Sequence, residues 1–172
     1  MKRRMAIAIA GLLLAMAVVA RPAAPADAAA GEYSRHFKAL TDLSVAVAEA
    51  MPVEKYDFKP HPESMTYGEL MTHIATTNYA FCVGLQDTKM LELPSPHEKT
   101  GVVKLLGDSF AYCSNVIGGL SEGQLSAPHN SPDGRMSGRD VLLAMYIHVA
   151  HHRGQAEIYL RDNGIRPPTY KV

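Results

Sequence analysis

The sequence predicts an all-α fold, a four-helix bundle behind an N-terminal leader. Three observations carry that expectation. Four segments repeat apolar residues at helical spacing, each with a boundary signal. No segment shows the period-2 alternation of a half-buried strand. The 172 residues, less a leader of 30, leave 142, enough to bury one core without staples.

The leader comes first, residues 1–30. Met1-Lys2-Arg3-Arg4 is a basic head, Met5 to Ala20 an unbroken apolar run, and Arg21 to Ala30 a stretch rich in Ala and Pro. That order is the pattern of a secretory signal peptide. The run is shorter than the roughly 20 residues a bilayer span needs, which favours cleavage over anchoring. Ala26-Asp27-Ala28 and Ala28-Ala29-Ala30 both fit an A-x-A cleavage site. The mature chain, residues 31–172, is therefore expected in the periplasm or outside the cell, with no membrane segment left. The leader takes four of 17 basic residues and one of 17 acidic ones, leaving 13 against 16, a charge of −3 with histidine neutral. That sign, and the lack of any basic run, exclude an electrostatic nucleic-acid footprint.

The first helix is expected from Ser34 to Ala50, with Phe37, Leu40, Leu43, Val47 and Ala50 on one face and Pro52 as its stop. Val53 to Glu63 holds Pro60 and Pro62 and reads as an extended connection. The second helix starts at Thr66, where Thr66-Tyr67-Gly68-Glu69 is a capping box, and runs through His73 and Phe81 to Gly84. The third is placed from Ser95, with Pro96 at the first helical position and Glu98 closing a second capping box, to Gly118-Gly119. Ser121 to Met136 reads as a long polar loop. The fourth is capped by Ser137, has Asp140 beside the positive end of the dipole, and ends at Asn163-Gly164. Cys82 and Cys113 fall on helices two and three. In an oxidising compartment they can pair, and two buried thiols is an equal alternative.

Chemistry concentrates in the histidines. His148 and His152 are four apart, so they share a helix face with Cβ atoms about 5–6 Å apart. Val141, Met145 and Tyr159 continue that face, which turns both rings toward the bundle axis; His151 is rotated to the flank. Helix two brings His73, set between Leu70 and Ile74. Three imidazoles from two helices suit a first-row divalent metal with one position left open. By itself each element has a plainer account, a chance surface pair for His148 and His152 and a core histidine with one partner for His73. Gln155, Glu157 and Tyr159 are candidates to support the site, Gln155 by orienting a ligand or bound water. Helix packing is the plainer account of Gln155, and a solvated surface charge that of Arg153. His129, in the polar loop, is a candidate gate or extra ligand; His61 and His97 sit at helix entrances, and His36 is expected on the surface.

The run His148-Val149-Ala150-His151-His152-Arg153-Gly154-Gln155, with Gly164-Ile165 and Pro167-Pro168 beyond it, resembles the last helix of the DinB/YfiT-like family, whose pattern there is H-x-x-x-H-R-G-Q. Met65-Thr66-Tyr67-Gly68-Glu69-Leu70 followed by His73-Ile74-Ala75 resembles its second-helix signature. The resemblance spans about Tyr33 to Tyr170. It implies a bundle of up-down-down-up order holding one divalent metal (zinc, nickel or iron) through His73, His148 and His152, with His151 not a ligand. It implies a small-molecule substrate, often with a low-molecular-weight thiol as co-substrate, and allows a homodimer. Two functions follow as expectations. One is a metal-dependent enzyme, a thiol-dependent S-transferase or a hydrolase. The other is an exported metal- or small-ligand-binding protein without turnover.

Overall fold

The structure, a computed structural model, describes residues 26–169. The expected leader lies outside the described residues up to position 25. Helix α1 spans Ala26–Ala50, α2 Tyr67–Leu85, α3 Lys99–Gly118, α4 Glu122–Ser126 and α5 Gly138–Asp162, and strands β1, Pro128–Ser131, and β2, Gly134–Ser137, form an antiparallel ribbon. The chain is mostly helical, as expected. Among the described residues, no helix is long and apolar enough to cross a membrane.

The four long helices pack as a ring, α1 against α3, α3 against α2, α2 against α5 and α5 against α1. Their directions follow from the contacts. Asn78 meets Ser109 and Cys82 meets Cys113, so α2 and α3 run parallel. Tyr67 meets Tyr159 and Phe81 meets His148, so α2 and α5 run antiparallel. Phe37 meets Phe110 while Lys99 reaches the carbonyls of Glu49 and Met51, so α1 opposes α3. The order is up-down-down-up. The middle is filled by Phe37, Val47, Leu70, Ile74, Leu106, Phe110, Val141 and Met145, all buried, while Leu40 and Ala50 of the α1 stripe are only partly covered.

Backbone groups left over at helix ends are met locally. Lys99 Nζ donates to the carbonyls of Glu49 in the last turn of α1 and of Met51 just beyond it, at 2.8 and 2.7 Å, and so satisfies acceptors at the helix end. Tyr56 and Tyr67 donate their hydroxyls to Ala48 and Val47 carbonyls, which clamps the connection between α1 and α2 onto the end of α1. The α5 terminus forms a Schellman closure: Gly164 N–H donates to Arg161 and Ile165 N–H to Leu160, with Gly164 at φ +72°.

Four expectations are corrected. Helix α1 begins two turns before Ser34. Helix α3 starts at Lys99, and Glu98 is its N-cap with no side-chain hydrogen bond, so Ser95-Pro96 belong to the connection and form no capping box. The polar loop is structured: Ser121 and Gln124 make a reciprocal capping box for α4, and the ribbon turns at Pro132-Asp133. Its strands show no alternation because they are four residues long and mostly exposed, with His129 alone buried in β1. Arg153, read as a solvated charge, instead has a side chain only 12% exposed and pairs with Glu157 at 2.6 Å. Cys82 and Cys113 form a disulfide between α2 and α3, with Cα atoms 5.6 Å apart.

Candidate metal centre

The first turn of α2 is fixed by its capping box, in which Thr66 Oγ1 accepts from Glu69 N–H and Glu69 Oε2 from Thr66 N–H, at 3.0 and 2.6 Å. Tyr67, Leu70 and Ile74 anchor that turn in the core, and His73 leaves the same helix on the side facing α5. On α5, Ser137 Oγ accepts from Asp140 N–H, and Val141, Met145 and Tyr159 bury the stripe that carries His148 and His152. Because α2 and α5 are antiparallel, the three rings meet between Tyr67–Tyr159 on one side and Phe81 on the other.

They meet closely. His73 Nε2 lies 3.0 Å from His148 Nε2 and 3.2 Å from His152 Nε2, and all three rings are half-buried. Metal–nitrogen bonds of about 2.0–2.1 Å put ligand nitrogens about 2.9 Å apart at right angles and about 3.3 Å apart at the tetrahedral angle. The observed spacings fall between those limits. Three lone pairs aimed at one point repel unless a proton or a cation lies between them, and one divalent ion answers all three at once.

The protonation balance agrees. Burial, and then the neighbouring rings of His152, His73 and His151, push His148 down to about 4. Burial also lowers His73, with His152 adding to it, and burial lowers His152. Neutral imidazole is the form that ligates. His152 Nδ1 lies 2.8 Å from Gln155 Oε1, an atom that only accepts; the ring proton is therefore on Nδ1, and Nε2 presents its lone pair to the centre. His148 Nδ1 is buried and has no hydrogen-bond partner among the described residues.

A cleft of about 330 Å³ opens beside His73, walled by Asp57, Glu69, Thr72, Thr76 and His97. A second, shallower one lies over Gln155 and Tyr159. Pocket walls of this kind come from segments distant in sequence, and no local signal marks them. The sequence left His97 without a role; it lines the first cleft.

The model of the DinB superfamily matches residues 36–156. The chain belongs to the DinB superfamily. Within that superfamily it is similar to an uncharacterised protein, YjoA, of Bacillus subtilis (strain 168), at 26% identity over 134 residues, 75% of this chain and 87% of the relative. The crystal structure of that DinB-like protein covers 81% of this chain and 98% of its own, with a TM-score of 0.69 and 24% identity. A DinB-like protein from Bacillus cereus superposes with a TM-score of 0.72 at 16% identity, over 82% and 97% of the two chains. At those identities the two structures establish the fold.

Against this DinB frame, the other sequence candidates separate. Gln155 touches the triad. Glu157 is engaged by Arg153 and, at 3.7 Å, by Arg161, and Tyr159 donates to the Met65 carbonyl, so both act as scaffold at one remove from the rings. His129 is not a gate: it is buried beneath α4, its Nε2–H donating to the Gln124 carbonyl and its Nδ1 3.2 Å from Asp87. Asp87 lies beyond the far end of α2, about 20 Å along the helix from His73. His61 is exposed, as is His36.

Proposed function

We propose that this DinB protein binds one divalent metal through His73, His148 and His152 and uses it as an exported enzyme of thiol-transfer or hydrolytic type. The convergence of three Nε2 atoms from two helices, with His73 within 3.2 Å of both partners, is the observation that carries the proposal. When bound, a divalent ion supplies Lewis acidity, which lowers the pKa of a thiol or water brought to the site. The chain's own residues do the rest. Burial keeps the three imidazoles neutral, and Gln155 holds the proton of His152 away from the centre. Thr72 and Thr76 line the cleft beside His73 with hydroxyls that can orient a small substrate.

Export is proposed on two grounds, the leader pattern of residues 1–30 and the Cys82–Cys113 disulfide, a bond that persists in oxidising compartments. The enzymatic proposal is tested by incubating metal-loaded protein with monochlorobimane and a small thiol, and with a panel of activated esters and amides, with and without chelator. Turnover that the chelator abolishes and His148→Ala lacks supports it. No chelator-sensitive turnover on any substrate leaves the binding protein without catalysis.

A further inference from the structure

We propose that His151, the histidine that faces away from the ligand stripe, is a positioning residue that acts on the metal centre through Gln155. The inference rests on the ligand set proposed above. Gln155 sits one turn beyond both rings, three residues from His152 and four from His151, so its amide spans them. Its Oε1 lies 2.8 Å from His152 Nδ1 and its Nε2 3.1 Å from His151 Nε2. An amide oxygen only accepts and an amide nitrogen only donates. In this arrangement His152 carries its proton on Nδ1, while His151 accepts at Nε2 and carries its own proton on Nδ1.

The two ends of a carboxamide are nearly equal in size, so packing does not choose between its orientations. Turned end for end, the amide would donate to His152 Nδ1. The proton of that ring would then move to Nε2, aimed at His73 Nε2 3.2 Å away, and the lone pair needed for ligation would be lost. A neighbour that accepts from the amide nitrogen opposes this reversal. With its proton on Nδ1, His151 is that neighbour, held edge-on against His152 with ring centroids 4.8 Å apart. This gives the middle histidine of His148-Val149-Ala150-His151-His152 a function that ligation does not.

The test exploits a difference between an amide and a carboxylate. The carboxylate of Gln155→Glu offers two accepting oxygens, so its orientation does not matter and it needs no orienting partner. Zinc affinity is measured by competition with a chromophoric chelator for the full chain, His151→Ala, Gln155→Glu and the double variant, with Gln155→Leu as a reference. Supporting groups behind metal ligands are worth about 10–100-fold in affinity. Gln155→Leu should lose that much, His151→Ala several-fold, and His151→Ala made in the Gln155→Glu background less than twofold. The loss of the edge-on ring contact with His152 is common to both backgrounds and cancels. In parallel, ¹⁵N spectra of histidine-labelled, zinc-free protein should show the His152 proton on Nδ1 in the parent, shared between Nδ1 and Nε2 in His151→Ala, and back on Nδ1 in the double variant. An equal effect of His151→Ala in both backgrounds, or no effect in the parent, overturns the proposal. If the parent binds no zinc, the ligand assignment fails, and the zinc-free tautomer measurement still decides the role of His151.

Discussion

At His148 the physics of burial has a consequence that pH can expose. Its folded-state pKa of about 4 lies below the ordinary 6.5 because the half-buried ring, crowded by other imidazoles, resists taking a charge. The unfolded chain therefore takes up the proton first as pH falls. The stabilisation from a neutral His148 is complete above about pH 6.5 and is lost as pH drops toward 4. Urea denaturation of metal-free protein should show its midpoint falling across that window, with His148→Phe falling less. The same protonation competes with ligation, so zinc affinity should drop over the same range. A midpoint flat from pH 7 to 4 would show that the ring is not desolvated as the geometry requires.

Among the elements, α2 and α5 were legible because each carries a boundary signal with a local mechanism. The Thr66–Glu69 box, the Ser137 cap and the Asn163-Gly164 stop all act within one turn of the residues that encode them. The ribbon was not legible as a strand pair. Its Pro132-Asp133-Gly134 run is a turn signal, yet the flanking strands are short and polar, so hydrophobic alternation could not announce them. Gly84 shows the limit of local reasoning. By position it looks like a helix terminator; in the fold it lies inside α2, and an added Cβ would overlap the Asn130 carbonyl oxygen of β1. Alanine normally gains about 1 kcal/mol over glycine in a helix. Gly84→Ala should reverse that sign and destabilise by about 1–3 kcal/mol, because overpacking against backbone has no rotamer to relieve it. Gly107→Ala in α3, where a Cβ meets nothing within 4 Å, should stabilise by about 0.5–1 kcal/mol. Chemical denaturation of the pair reads both signs, and a stabilised Gly84→Ala would remove the ribbon from the side of α2.

For the whole molecule, the ring of helices is set by the core stripes, and the disulfide ties its two parallel members. Cys82 and Cys113 are 31 positions apart in sequence. A closed loop of that length removes about 3–4 kcal/mol of unfolded-state entropy. Cys82→Ala with Cys113→Ala should lose about that much in denaturant while keeping the helical signal, since both positions are buried in an otherwise apolar core. The four long helices were legible in the sequence through periodicity and caps; their up-down-down-up order came only with the family pattern, and the triad with that pattern and the His148–His152 spacing. The cleft walls were not, because Asp57, Glu69 and His97 come together only once the connections fold over α2. Everything proposed for the site depends on α2 and α5 meeting at one ion. Metal content of the purified chain, by elemental mass spectrometry after loading and desalting, measures this most directly. One divalent ion per chain is expected, falling below a tenth in His73→Ala with an unchanged helical spectrum. A parent chain without stoichiometric metal, or a His73→Ala chain that keeps it, would contradict the account.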